Sequence, residues 1–382
     1  MNFELTEDQI LLRDMIREFA QEKISAEVRS LEDNHTFPQE LLQQLGELGL
    51  LGMSVPVEYG GSKTDSLSLA IAIEELARVF PSLAVIVSVH SSLFCYAINQ
   101  FGTEAQKSNY LPKAASGQII GAFSLTEPGA GSDATNLRAK SRKEGDSYVL
   151  NGTKSWVTTG YNAGAMILLT LSETSTEDKK RLNAFIIDSD TPGLQATKIE
   201  EKMGLHASPT AEIQLEECRI AKENLLGEEG KGAAIAFQCL DISRIGIAAQ
   251  AVGLSQRALD EAVTYAKMRE AFGGHIADLQ AIQFMIADMS TQIDAARLLT
   301  YRASVLNDQG KPFGKEAAMA KLYASEAANK IAYQSLQIHG GYGYSKEFFI
   351  EQIYRDSRVL AIYEGTSEIQ RLVIARHLLK DG

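Results

Sequence analysis

Residues 232–268, GAAIAFQCLDISRIGIAAQAVGLSQRALDEAVTYAKM, read as one long helix pattern, and that run constrains the fold more than any other part of the chain. Two runs of the same kind follow, LQAIQFMIADMSTQIDAARLLTYRASVLN and KEAAMAKLYASEAANKIAYQSLQIHG, and SEIQRLVIARHLLK closes the chain. Long amphipathic helices with short connections predict a bundle, here a four-helix bundle over 230–382. Residues 1–120 also read as helices. Thr6-Glu7-Asp8-Gln9 and Thr103-Glu104-Ala105-Gln106 are capping-box patterns, and Pro38 opens a short helix.

Residues 121–229 have a different texture. Short runs rich in β-formers follow one another: GAFSLTE, SYVLNGTKSWVTT, AMILLTL, NAFIID and AEIQLEECRI. Asn151-Gly152 between two such runs predicts a hairpin turn. No long helical pattern alternates with these strands, so a small, mostly antiparallel β-domain is expected rather than a βαβ sheet. The fold class is then α+β and multidomain, mostly α. It has an N-terminal helical domain (1–120), a middle antiparallel β-domain (121–229) and a C-terminal helical bundle (230–382), consistent with 382 residues exceeding one ordinary core.

Charge and cysteine usage narrow the function. Thirty-seven basic against 49 acidic residues leave a net charge of −12, which disfavours general binding to nucleic acid or an anionic membrane. A phosphate-bearing ligand must then be held by local arginines and backbone amides. Cys95, Cys218 and Cys239 form no CxxC pair or disulfide framework, and the start MNFELTEDQ has neither signal nor transit character, so a cytoplasmic location is expected. The apolar stretch at 81–98 carries His90 and several serines and reads as a buried helix. None of the 6 histidines sits in a metal motif, and there is no GxSxG or P-loop.

Six stretches carry candidate chemistry. In FSLTEPGAGSD (123–133) the glycines bare backbone amides beside Thr126 and Ser132, which suits a polar ligand or a plain surface turn. Trp156 in KSWVTTG either packs on a flat aromatic ligand or belongs to the core, the commoner fate of such a residue. Asp241 and Arg244 in LDISR share a helix face, as an ion pair or as a ligand site in apolar surroundings. Arg269 in MREAFG either clamps a phosphate or completes a helix C-terminus, and Phe272-Gly273 turns the chain. Gly340-Gly341 in QIHGGYGY ends a helix and bares backbone. In IYEGTSEIQ, Glu364 precedes a helix start read as a capping box from Ser367 to Gln370. It is either a solvated loop glutamate or a carboxylate desolvated by Ile362 and Tyr363, whose raised pKa would make it a base.

Taken together and in this order, LTEPGAGSD, MREAFG, QIHGGYGY and IYEGTSEIQRLVIARHLL resemble the acyl-CoA dehydrogenase family over essentially the whole chain, the last stretch most resembling its short-chain (butyryl-CoA) type. The resemblance implies non-covalent FAD and α,β-dehydrogenation of an acyl-CoA to the trans-2-enoyl-CoA. It implies that Glu364 takes the α-proton while hydride passes from the β-carbon to flavin N5, electrons leaving to electron-transferring flavoprotein. Gly365 and Tyr363 would flank the thioester, with the Glu364 backbone amide and a ribityl hydroxyl of FAD on its carbonyl. Phe123, Leu125, Thr126, Ser132, Trp156 and Thr158 would contact the flavin, Ser132 also lying near substrate. Arg269, Phe272, Gln280, Gln337, Gly340 and Gly341 would reach FAD of a neighbouring subunit in a homotetramer, and Thr366 and Glu368 would also face the cofactor. Asp241 and Arg244 would hold the CoA arm.

Relatives that carry the base on the LDISR helix place it where this chain has Ser243, which cannot serve. Ala271 stands where several relatives have glutamine, although short-chain members commonly have alanine. A straight C4 chain is the expected acyl group. Branched, dicarboxylic and cyclic groups, an oxygen-using oxidase and a non-catalytic binding protein are the competing readings.

Overall fold

The computed structural model describes residues 4–176 and 180–379, so Met1–Phe3 and Lys380 of the segments read above lie outside them. The chain begins with helices α1 (Glu7–Phe19), α2 (Val28–Asp33), α3 (Gln39–Glu47), α4 (Ser66–Val79), α5 (Pro81–Val89), α6 (Tyr96–Phe101) and α7 (Glu104–Ala115). Both threonine capping boxes form: Thr6 accepts from the Gln9 amide at 3.3 Å and Thr103 from the Gln106 amide at 3.2 Å. A wide turn at His90–Cys95 joins α5 to α6, and this apolar stretch runs through the core.

The middle of the chain forms β1 (Gly121–Ser124), β2 (Lys140–Glu144), β3 (Ser147–Thr158), β4 (Ala165–Ser172), β5 (Leu182–Asp188), β6 (Leu194–Ile199) and β7 (Thr210–Ala221). Their order is β1-β4-β2-β3-β7-β6, with β5 also on β4. Pairing is antiparallel except where β4 runs parallel to β1 and to the start of β2. The sheet is covered on both faces. One face joins the core shared with the helices through Ile167, Leu169 and Ile186, and the other closes its own core around Tyr148, Met166, Phe185 and Ile213. That double burial is why β4 and β5 read as unbroken apolar runs. β2 and β6 have no such signal, because KSRKE and LQATKI lie largely exposed.

The expected hairpin at Asn151-Gly152 is not there. β3 runs straight through these residues, and the turn lies at Gly145-Asp146, between β2 and β3. Asn151-Gly152 instead makes a bulge against β7. The Asn151 amide group exchanges two hydrogen bonds with Glu217, at 2.7 and 2.8 Å. Gly152 has φ 140°, and a Cβ there would lie 2.5 Å from Ala139 Cα. The glycine therefore answers a close strand approach, not a turn.

The C-terminal part contains α8 (Gly232–Met268), the small hairpin β8 (Glu270–Ala271) and β9 (Gly274–His275), α9 (Gln280–Asp308), α10 (Gly314–His339), α11 (Ile350–Ser357) and α12 (Ser367–Leu379). α8, α9 and α10 pack on one another, and α12 lies on α10. α8 also packs against α4 and α5, so the first and last helical parts share one core.

Candidate active site

The turn at 362–366 is built around two consecutive left-handed residues, Glu364 at φ 52° and Gly365 at φ 92°. A non-glycine residue in that region costs about 1–2 kcal/mol, so the surroundings must hold it. Gln370 Nε2 donates to the carbonyls of Glu364 and Gly365, at 3.1 and 2.9 Å. Lys321 Nζ, from α10, donates to the Gly365 carbonyl at 2.7 Å. The Tyr363 hydroxyl donates to Gln250 of α8, whose own Nε2 donates to the Pro81 carbonyl. Thr366 Oγ1 accepts the Ile369 amide at 3.3 Å, so Thr366 caps α12, not Ser367, whose buried hydroxyl has no hydrogen-bond partner among the described residues. Gln370 leaves the predicted capping box because its amide is used on the turn.

This turn aims the Glu364 carboxylate at α8, where the Ser243 hydroxyl donates to Oε2 at 2.7 Å. Burial raises the Glu364 pKa, opposed by the Ser243 hydrogen bond and by the charges of Lys321 and Arg244. The result is a half-buried, directed carboxylate with enhanced proton affinity, the property required of a general base. Arg244 is buried and paired with Asp241 one turn earlier, and its Nε has no hydrogen-bond partner among the described residues. The predicted shared face of Asp241 and Arg244 is therefore an ion pair with a spare donor.

A second group lies in the β-domain. Phe123 and Leu125 are buried, Thr126 and Thr158 half-buried, and Ser132 exposed. Trp156 is not in the core. The register of β3 on β7 shifts between Lys154 and Val157, Trp156 takes φ 58°, and its side chain is 57% exposed. A bulge that turns an indole outward presents a flat apolar face to a ligand. The Ser155 amide donates to the Thr126 carbonyl at 2.9 Å, so the glycine-rich loop and the bulge are stitched together. Lys154 reinforces this with bonds to the Leu125 carbonyl and to Glu127, both at 2.9 Å. Glu127 also accepts the amides of Arg138 and Ala139. Gly131 would meet nothing within 4 Å if it carried a Cβ, so backbone is open to solvent there.

A third group gathers at the other end of α8. Tyr265, Arg269, His339, Gly340, Gly341 and Tyr342 line a cleft of about 550 Å³. Among the described residues Arg269 has no carboxylate partner; its guanidinium lies 5.9 Å from the Tyr342 ring centroid. His339 is buried, its Nδ1–H donates to the Ser335 carbonyl at 2.8 Å, and its Nε2 has no partner among the described residues. Phe272 in the hairpin turn is 94% exposed, and Gln280 and Gln337 are also exposed. Ser243 and Met268 are separated along α8 by about 37 Å at 1.5 Å per residue. One copy of the chain therefore does not bring the Arg269 cleft to its own Glu364.

Lys321, Lys154, Glu127 and Gln250 have no role in the sequence pattern, and Gln370 is there only a capping-box residue, although each supports one of these groups. Lysines inside apolar runs, AAMAKLYA and GTKSWV, are the signal that was available.

Three family models cover the chain: acyl-CoA dehydrogenase N-terminal domain at 6–118, middle domain at 122–218 and C-terminal domain at 230–379. The short-chain specific acyl-CoA dehydrogenase of Rattus norvegicus mitochondria is 49% identical over 99% of this chain and 91% of its own. A chain of the structure reported for electron transferring flavoprotein of Acidaminococcus fermentans, concerned with flavin-based electron bifurcation, has TM-score 0.98 and 44% identity over 100% of both chains. Butyryl-CoA dehydrogenase of Megasphaera elsdenii has TM-score 0.96 and 40% identity over 99% of this chain and 100% of its own. A glutaryl-CoA dehydrogenase of Mycobacterium smegmatis, solved with FADH2, has TM-score 0.93 and 30% identity over 98% of this chain and 95% of its own.

Proposed function

Because the chain belongs to the acyl-CoA dehydrogenase family, whose cofactor is FAD, we propose that it dehydrogenates a short-chain acyl-CoA to the trans-2-enoyl-CoA with Glu364 as the base. The observation that carries this reading is the aim of Glu364: a carboxylate of raised pKa, held by a left-handed turn against Ser243. The α-proton of a thioester is a weak acid. Removing it takes a desolvated, fixed carboxylate and amide donors for the negative charge that develops on the thioester oxygen. Ser243 keeps Glu364 oriented without competing as a base.

The donor sets suit FAD. Trp156 offers an indole face, Thr126, Thr158 and the open loop at Gly131 offer polar groups, and Arg269 with the bare backbone at Gly340-Gly341 suits a pyrophosphate. Bound FAD supplies the acceptor for the β-hydrogen and its electron pair. Leu125, Thr126, Trp156 and Thr158 would hold the flavin beside Glu364. The span of α8 supports a homo-oligomer, a homotetramer by resemblance, in which the Arg269 cleft serves a neighbouring copy. Electron-transferring flavoprotein is the proposed acceptor, supported by the Acidaminococcus fermentans structure. The rat protein supports a short acyl chain, and the Megasphaera elsdenii butyryl-CoA dehydrogenase supports a straight C4 one.

Anaerobic flavin bleaching tests the reading. Butyryl-CoA should bleach the parent enzyme rapidly. Glu364→Gln should keep its flavin spectrum and bind butyryl-CoA, yet bleach more slowly by about 10²–10⁴-fold. Bleaching of that variant at the parent rate would sink the assignment of the base.

A further inference from the structure

Lys321 is fully buried on α10, yet among the described residues it has no carboxylate within ion-pair distance. Its one hydrogen bond among the described residues goes to the Gly365 carbonyl, next to Glu364. A buried ammonium without a counterion is expensive unless its charge is used. The charged groups around it are accounted for. On α8, Arg244 is offset by Asp241. On α10, Glu326 pairs with Arg371 of α12 at 2.6 Å. Glu368 is exposed at the start of α12. Cys239, on α8, is a buried thiol whose pKa is raised, and Tyr363 is raised well above the ordinary tyrosine value; both stay neutral. Among the described residues, the one carboxylate near Lys321 that is neither ion-paired nor exposed is Glu364.

We propose that Lys321 is a positioning residue for the base: its ammonium clamps the carbonyl that follows Glu364 and keeps the Glu364 carboxylate ionised. This rests on Glu364 being the base. The two roles act through one atom. The clamp fixes the left-handed turn, and the charge offsets part of the desolvation that burial imposes on Glu364. Burial holds the Lys321 ammonium itself down to about 8. Both groups are then charged together only above the Glu364 pKa and below about pH 8, and activity should have an acid limb from Glu364 and an alkaline limb from Lys321.

The test is the pH profile of the FAD-loaded enzyme with butyryl-CoA, beside circular dichroism melting and flavin content. Lys321→Met should fold with bound flavin, lose the alkaline limb, and show its acid limb at higher pH. The loss in kcat should be largest on the acid limb and shrink as pH rises, with KM little changed. If Lys321→Met fails to fold, Lys321→Gln decides, since it keeps an amide donor and removes only the charge. An equal loss at every pH, or limbs unmoved from the parent's, overturns the proposal. Glu364→Gln run alongside separates the two failures: an inactive Glu364→Gln with unmoved Lys321→Met limbs removes only the role of Lys321.

Discussion

The hydroxyl of Ser243 donates to Oε2 of Glu364 at 2.7 Å although 121 residues separate them in the chain. The bond joins the longest helix to the turn before the last one. It places a neutral donor, unable to act as a base, on the carboxylate that is the candidate base. Ser243→Ala should therefore raise the Glu364 pKa further. A hydrogen bond to a charged group is worth about 1.5–3 kcal/mol, so on the acid limb kcat/KM should fall about tenfold or more and recover as pH rises. The alkaline limb should stay, because Lys321 is untouched. The pH profile of kcat/KM checks both statements.

Gly365 tests the turn itself. Its φ of 92° lies outside what other residues adopt readily, and a Cβ there would come within 2.7 Å of Gln370 Nε2. Gly365→Ala is expected to keep bound flavin, melt at a lower temperature and lose at least about tenfold in kcat by misaiming Glu364. Single-turnover bleaching measures the loss directly. A variant with parent kcat would show that the turn tolerates a side chain.

Lys154 and Glu127 form a buried pair at 2.9 Å, and together they hold the glycine-rich loop against the bulge that exposes Trp156. Removing one member of a buried pair costs about 3–5 kcal/mol because the other charge is stranded. Lys154→Met should melt lower and release its flavin on dialysis. Lys154→Met combined with Glu127→Gln should recover part of the melting temperature, since no charge is then left buried. Melting curves and flavin absorbance after dialysis report both.

Asp356 is buried at the junction of the three parts of the chain. It accepts the Leu205 amide at 2.7 Å, and Glu32 nearby accepts the His206 amide at 2.8 Å. Burial and then Glu32 push its pKa up to about 7, opposed by Leu205, Arg355 and Gln352. A carboxyl with a raised folded-state pKa gives stability that is complete below about 4, its unfolded value, and is lost as pH rises towards about 7. Asp356→Asn cannot titrate. Its melting temperature minus that of the parent should therefore rise between pH 4 and 7 and level off above. A difference that is flat across this range would contradict the raised pKa.

How much of this was legible depends on the range of the interaction. Helices α8, α9, α10 and α12 announce themselves because i, i+3 and i+4 periodicity is a local property. β4 and β5 announce themselves by unbroken apolar runs. β2 and β6 do not, because an exposed strand needs no apolar pattern. Asn151-Gly152 carries a hairpin signal, but the approach of Ala139 and the bonds to Glu217 make it a bulge. Trp156 reads as core until the bulge in β3 turns it outward.

The sequence by itself determined the order of helical and strand regions, the family, and the glutamate-glycine pair at 364–365 as the place to look for a base. These follow from residue types and short spacings. Only the tertiary structure decided that Ser243 meets Glu364, that Lys321 stands behind the turn with its charge unpaired, and that Lys154 and Glu127 tie the loop to the strand. Hydrogen bonds and charges act over a few ångströms. Which residues come that close is set by how α8, α10 and the sheet pack, through burial spread over the whole core, and no short stretch of sequence contains it.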